Sequence, residues 1–447
     1  MGTMGGIGSN CWSIAGRLSE SGKPILACDP HLAKQMQALW YLAGMTWKES
    51  VSTGKRAETL DEQPYIVGGA VVGLPFFSYG RSPYMSWGAT AINPDNSDLY
   101  VERVENDKYY FEGEWHDFRV EQEVFKIRGG ADFVQDYKFT HNGVMLLKPE
   151  KDDMGIAVWF PMEFLTQNND LNYSMRWVYD TEHPMTSLAS LYKGLTEERT
   201  LEEIEKKLEN LHMFPLNFNF VTKSGHHGYH MTGTFPKRKY NVHQGVYPKK
   251  GWLKDNLWEG LVPPEDHPRI YNPKSGIIVS ANNLATTKNF KHGVSHAHSF
   301  TQRFIRLNEL YKERSATRKL NVQDMIDGQL DTFDLQARES TSFILRNVDL
   351  GLESVLKALK KSRQEAENIR KLYAYAREIL LNWDFRFSYD QIQPSIYLAF
   401  EFNFATYFQE AKIDDADVRR AIAGNVIIEN FFYKEIHRWA AEKDPRQ

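Results

Sequence analysis

Cysteine is nearly absent: Cys11 and Cys28 are the only two in a chain of 447 residues. Two thiols cannot build a disulfide framework, so the fold must rest on its core, and they say little about redox compartment. Excess charge is absent as well. Lys and Arg number 54 against 58 Asp and Glu, a formal net charge of −4. That balance gives no electrostatic reason to expect nucleic acid or an anionic membrane as a partner. No apolar run approaches the length of a membrane span. The opening "MGTMGGIGSN" lacks the apolar centre of a signal peptide. There is no internal repeat, no low-complexity segment and no G-x-S-x-G elbow. The "GKPI" at 22–25 lacks the upstream glycine and following Ser or Thr of a phosphate loop.

What is present is the material for a large core. Apolar residues make up 42% of the chain and aromatics 13%, which favours a sheet-rich interior or a large apolar pocket over a coiled coil. Residues 9 to about 150 are β-rich. "SIAGRL" and "PILACD" flank the turn "SESGK" as a hairpin, and "YIVGGAVVGLPFF" and "YMSWGATAI" are apolar strand runs. "KYYFEGEWHDFRVEQEVFKIRGG" alternates around "EGE" as a meander. Residues 183–211 have helical spacing, with Thr200 placed to cap a helix ahead of Glu203, and "EERTLEEIEKKLE" forms a solvated face of i,i+4 pairs. Strand character returns at "FNFVTKSGHHGYHMTG" and "SGIIVSANN". The stretch between them, "PKKGWLKDNLWEGLVPPEDHPRIYNPKSG", is expected to be a long loop. From about Ser299 the pattern is helical to the end. The order sheet, helix, sheet, helices predicts an α+β fold rather than alternating βαβ units.

Ser9 follows a glycine-rich lead and opens a strand. A serine hydroxyl needs a base to act as a nucleophile. Cleavage before Ser9 would supply one, because a free α-amine has a pKa of roughly 8 and is partly neutral near neutral pH. Gly8 would tolerate the strained backbone of such a cleavage. A leader glycine followed by an edge serine accounts for the local sequence equally well. His31, in "ACDPHL", could assist a nucleophile or simply be bonded in a turn. Cys11 is a rival nucleophile on Ser9's face of the strand, or a small core residue. Asp95, Asn96 and Asp98 cluster oxygen atoms that suit calcium, or form an exposed Asx turn. The histidines at 226, 227 and 230 and at 292, 296 and 298 follow no strong zinc pattern.

Taken together these segments resemble the penicillin amidase (penicillin acylase) family of N-terminal nucleophile hydrolases. "GSNCWSIAGRLSESGKPILACDPHL" is similar to the start of that family's catalytic β-chain. The likeness continues through "SWGATA", "HNGV", "MRWV", "NFVTKSGHHGYHMTG", "YNPKSGIIVSANN" and "MIDGQLDTFDLQAR", in the family's order, over most of residues 8–340. The resemblance implies a four-layer αββα sandwich, with a leader remnant at 1–8, a catalytic core at 9–300 and a mainly helical region at 301–447. It implies Ser9 as nucleophile, exposed by self-cleavage after Gly8. It implies an oxyanion hole made by the Ala91 backbone N–H and the Asn282 side chain, with Arg303 holding that asparagine. His31 falls where cephalosporin- and acyl-homoserine-lactone-type members carry histidine. Asp95 and Asp98 match two calcium ligands, while the later ligand, near Gly293, has no acidic match.

The expected substrate is an N-acylated small molecule, a β-lactam side-chain amide or an acyl-homoserine lactone. The α-chain that precedes Gly8 in the family and its C-terminal strands have no counterpart in the sequence, which predicts an incomplete sandwich that needs a partner chain. Cys28 stands where the family usually has Asn. The resemblance implies a periplasmic or secreted protein. The rival expectations are a non-catalytic family remnant, or a module that binds through its aromatic pocket.

Overall fold

The structure is a computed structural model that describes residues 8–32, 39–46, 65–74, 77–146, 171–180, 191, 194–239, 245, 247–287, 290–295 and 302–412. The expected helical pattern at 183–190, His296, His298 and the residues after 412 lie outside them.

The hairpin expected around "SESGK" forms from β1 (Gly8–Ile14) and β2 (Ile25–His31), which pair antiparallel with Cys11 opposite Cys28. β1 stops earlier than the sequence suggests, because Gly16–Leu18 turn into a short 3-10 helix. A Cβ on Gly16 would stand 2.3 Å from the Gly22 carbonyl oxygen, so glycine is what lets the turn close.

A seven-stranded sheet is built from β3 (Trp40–Thr46), β4 (Tyr65–Val71), β5 (Phe77–Arg81), β6 (Met85–Ala91), β7 (Leu216–Thr222), β8 (His227–Met231) and β9 (Arg269–Tyr271). Its spatial order is β9-β8-β7-β6-β5-β4-β3. A three-stranded sheet, β2-β1-β10, completes itself with β10 (Ile277–Ser280). A six-stranded sheet runs from residues 119–125 through 133–140, 143–145, 172–177 and 97–102 to 249–250. The expected meander is confirmed in part by strands at 108–111, 114–117 and 119–125. The long Pro/Gly/Trp stretch is not a plain loop. It carries short strands at 249–250, 258–261 and 269–271, because its few alternating residues find partner strands across the sequence.

Strand alternation sends Ser9, Cys11 and Ser13 to one face of β1 and Asn10, Trp12 and Ile14 to the other. The second set meets helices α2 (Gln302–Thr317) and α3 (Val322–Gln329). Trp12 is fully buried there, its indole N–H 3.2 Å from Met325 Sδ and its ring 5.8 Å from that of Tyr311. The first set faces the seven-stranded sheet. The residues between the sheets are small and polar: Ser13 Oγ meets His227 Nδ1 at 3.0 Å, and Thr90 Oγ1 meets Ser280 Oγ at 2.6 Å. Phe218, Phe220, Trp87 and Met85 on the far face of the larger sheet pack on helix α1 (Leu201–Glu209) through Ile204 and Leu208. Thr200 caps α1 as expected, in a reciprocal capping box with Glu203. Beyond α3 the chain stays helical through α4 (Leu335–Ala358), α5 (Arg363–Leu381) and α6 (Gln393–Lys412).

Candidate active site

β1 carries Ser9 into the space between the sheets, with 8% of its surface exposed. Its hydroxyl donates to the Gly8 carbonyl oxygen at 2.6 Å. Its backbone N–H donates to Asn282 Oδ1 at 2.5 Å. Asn282 follows β10 with φ of 59°, a left-handed conformation that Asn tolerates better than most residues. That twist turns its side chain back over β1. Its Nδ2 donates to the Ala91 carbonyl oxygen at 2.9 Å, at the end of β6.

Arg303 enters from the first turn of α2. Nη1 donates to the Ser9 carbonyl at 2.7 Å and to Asn10 Oδ1 at 2.5 Å, and Nη2 to Asn282 Oδ1 at 3.1 Å. The planar fork suits this work, since it presents several donors in fixed directions. Burial pushes the Arg303 guanidinium down from its usual range, and the Asp29 carboxylate opposes that shift. Gly8 leaves room for the cluster: a Cβ there would meet Arg303 Nη2 at 3.0 Å and Asn282 Oδ1 at 3.2 Å.

Ser9, Ala91, Asn282 and Arg303 are thus brought together from β1, β6, the end of β10 and α2. His31 is not brought to the Ser9 hydroxyl, and this corrects the expectation for it. Residues opposite one another in a ladder share a face, and His31 lies opposite Gly8, on the side of Asn10 and Asp29. Its Nε2 pairs with Asp29 Oδ2 at 3.1 Å, and the same oxygen accepts from Asn10 Nδ2 at 3.2 Å. Burial raises the Asp29 pKa, but His31, Asn10 and Arg303 outweigh it and leave the carboxyl below its ordinary value. Asn10 and Asp29 escaped the sequence reading, although both adjoin residues it singled out. A cavity of about 410 Å³ opens on this helix side, lined by Asn10, Asp29, His31, Arg303, Arg306 and Gln329. Ser9 is not among its lining residues, so the cavity and the hydroxyl lie on opposite sides of β1.

Cys11 does not suit the role of rival nucleophile. It is fully buried, and burial together with the adjacent Cys28 pushes its thiol well above the ordinary value.

The calcium expectation for Asp95 and Asp98 does not fit the residues around them. Arg238 Nη2 donates to Asp95 Oδ1 at 2.9 Å and Nη1 to Asp95 Oδ2 at 3.0 Å; Nε donates to Asp98 Oδ2 at 3.0 Å. Lys249 Nζ adds a contact to Asp98 Oδ2 at 2.7 Å, and the Trp258 indole N–H another at 2.5 Å. Both carboxylates are buried and their oxygens face built-in cations. A calcium ion would have to displace them. Among the described residues no group of three or more His, Cys, Asp or Glu side chains is placed to hold a metal. Of the histidine clusters, His227 and His230 are buried in β8 and bonded to Ser13 and Tyr271.

Comparison with known proteins decides the lineage. The penicillin amidase family profile matches residues 3–446. The chain belongs to the penicillin amidase family. Among curated relatives of this family member, an acyl-homoserine lactone acylase QuiP from Pseudomonas aeruginosa is 26% identical over 402 residues, covering 89% of this chain and 43% of its own length. Penicillin G acylase of Escherichia coli is 22% identical over 279 residues, covering 62% of this chain and 29% of its own. The chain therefore spans less than half the length of these relatives. A solved structure of a thermostable penicillin G acylase from Alcaligenes faecalis superposes with a TM-score of 0.65 at 19% identity, over 98% of this chain and 74% of that one, and shows the shared fold. No helix among the described residues is long and apolar enough to cross a membrane.

Proposed function

We propose that this penicillin amidase family member hydrolyses the amide bond of an N-acylated small molecule, through an acyl-serine on Ser9. The substrate is a β-lactam side-chain amide, of penicillin or cephalosporin, or an acyl-homoserine lactone; relatives are named as acylases of penicillin G and of acyl-homoserine lactones. The observation that carries the reading is the Ser9 cluster itself. The hydroxyl lies 2.6 Å from the oxygen of the peptide bond before it, while Asn282 and Arg303 grip both sides of the same residue.

The first reaction is on the chain. Ser9 Oγ attacks the Gly8 carbonyl carbon, the Gly8–Ser9 C–N bond breaks, and the resulting ester is hydrolysed. Ser9 then carries a free α-amine with Asn282 Oδ1 already placed to accept one of its hydrogens. In turnover this amine takes the hydroxyl proton as Oγ attacks the substrate carbonyl carbon, and returns it to the leaving amine. The Ala91 backbone N–H and Asn282 Nδ2 stabilise the oxyanion, for which the Asn282 amide must exchange its bond to the Ala91 carbonyl. Donors fixed in place before reaction are each worth about 3–4 kcal/mol of barrier. Arg303 keeps Asn282 turned so that its oxygen faces the Ser9 nitrogen. Water then releases the acid.

The same reading includes a four-layer αββα arrangement, supported by α2 and α3 on one sheet and α1 on the other. It also includes completion by an α-chain partner that lines the acyl pocket, and a periplasmic or secreted location.

Intact-mass measurement of the purified full chain, with N-acyl substrate hydrolysis alongside, tests the reading. Loss of Met1–Gly8 as a unit, abolished by Ser9→Ala together with hydrolysis, is the expected result. Hydrolysis and active-site acylation that persist in Ser9→Ala would overturn it.

A further inference from the structure

The chain's two cysteines stand on successive strands and are adjacent in space. Cys11 on β1 and Cys28 on β2 stand directly opposite each other in the antiparallel ladder. Opposed residues in such a pair have Cα atoms roughly 4.5–5.5 Å apart and side chains on the same face. A disulfide needs Cα atoms roughly 4.4–6.8 Å apart, so the backbone already meets its requirement. The thiols converge: both sulfurs lie within 3.0 Å of the point where a Cβ on Gly88 of β6 would sit, Cys28 Sγ at 2.6 Å and Cys11 Sγ at 3.0 Å. Gly88 is thus the notch in the facing sheet that holds the pair. Both thiols are free in this structure. Cys28 Sγ lies 3.7 Å from the Ala89 carbonyl oxygen.

We propose that Cys11 and Cys28 form a cross-strand dithiol that a peroxide oxidises to a disulfide, a modification site on the strand that carries Ser9. The two thiols have different parts. Cys28 is the less buried residue, at an intermediate position on β2, whereas Cys11 is fully enclosed. A hydrogen bond from Cys11 lowers the Cys28 thiol below its ordinary value against the opposing effect of burial, while burial raises Cys11. The thiolate is the reactive form, so Cys28 meets the oxidant first. Its thiolate attacks one peroxide oxygen and the O–O bond breaks, giving a sulfenic acid and hydroxide. Cys11 sulfur then attacks the Cys28 sulfur. The S–O bond breaks, and the hydroxyl leaves with the Cys11 proton as water. Peroxide is reduced and the two thiols are oxidised by two electrons in total. The closed bridge has no S–H to offer the Ala89 carbonyl, two residues before Ala91 on β6.

The test treats the native full chain with increasing hydrogen peroxide, quenches it, denatures it and counts thiols by alkylation and intact mass. The expected result is joint loss of both thiols, a mass lower by two hydrogens, a linked peptide pair containing Cys11 and Cys28, and full reversal by dithiothreitol. In Cys11→Ser the same treatment halts at a Cys28 sulfenic acid that dimedone captures. In Cys28→Ser, Cys11 stays reduced over the range that oxidises the pair. The proposal is overturned if wild-type Cys28 advances to sulfenic or sulfinic acid while Cys11 remains alkylatable, or if neither thiol reacts below the peroxide level that oxidises the exposed Met45. The wild-type measurement decides the matter even where a variant fails to fold. It reads no hydrolysis, so it stands apart from the reading of Ser9.

Discussion

Asn282 Oδ1 accepts the Ser9 backbone N–H at 2.5 Å although 273 residues separate them in the chain. One side-chain oxygen from the end of β10 thereby fixes the first turn-off of β1, and Arg303 Nη2 shares that same oxygen at 3.1 Å. Ser9, whose own nitrogen would serve as the base, is thus held at its N–H by Asn282 and at its carbonyl by Arg303.

Removing either hold has a defined cost. Asn282→Ala takes away both the acceptor for the Ser9 nitrogen and a proposed oxyanion donor, and is expected to lower kcat for an N-acyl substrate by about 10²–10³. Arg303→Lys keeps the charge but cannot span the Ser9 carbonyl, Asn10 and Asn282 together, and is expected to lower kcat with a smaller change in KM. Arg306→Lys, one helical turn on and paired with Asp331 instead, serves as the control. Steady-state kinetics on the three variants checks the order.

Gly8→Val is expected to slow cleavage before Ser9 far more than Gly8→Ala. The first added carbon already meets Arg303 Nη2 at 3.0 Å and Asn282 Oδ1 at 3.2 Å, and valine's two methyl groups extend beyond it. Time-resolved intact mass after expression reads the effect. Equal cleavage in the two variants would show that the cluster yields to the side chain.

Chelation should leave the protein indifferent. With Arg238 and Lys249 occupying the oxygens of Asp95 and Asp98, EDTA is expected to change neither Tm nor activity, and added calcium to change neither. Arg238→Ala removes the guanidinium that spans two buried carboxylates, leaving Asp98 with Lys249 and Trp258, and is expected to destabilise by about 3–5 kcal/mol. Calcium should then raise the Tm of that variant alone, which differential scanning calorimetry can measure.

Mild acid is expected to unfold the protein through its buried imidazoles. Burial depresses His227 to about 4, His230 to about 3 and His267 to about 4, from an ordinary 6.5. The folded chain therefore binds fewer protons than the unfolded chain below pH 6.5. The contribution of these groups is complete above the unfolded value and is lost as pH falls from about 6.5 toward about 4, at up to about 1.4 kcal/mol per pH unit for each histidine. Chemical denaturation at pH 7.0, 6.0 and 5.0 checks it. His230→Gln should flatten the slope.

The sequence disclosed most of what local chemistry controls. Thr200 and Glu203 announced a capped helix because capping needs only neighbours, and "SESGK" announced a hairpin for the same reason. Ser9, Ala91, Asn282 and Arg303 meet from four separate elements, a closeness that no local pattern in the sequence carries. What stayed hidden depends on facing partners. His31 is two residues past Asp29 on the same strand, so only the β1–β2 register reveals which side it takes. Asp95 and Asp98 looked like metal ligands until Arg238, 140 residues or more away, was seen lying between them. The short strands at 249–250, 258–261 and 269–271 are each too brief to have a period of their own.

The alternation of β1 has one more consequence. Because Ser9 and Asn10 point to opposite sides, the 410 Å³ hollow beside α2 is walled off from the hydroxyl, yet it is lined by the guanidinium that donates to the Ser9 carbonyl. The side chain of Arg303 is therefore common to both flanks of β1: it walls the hollow on one side and holds the Ser9 backbone on the other.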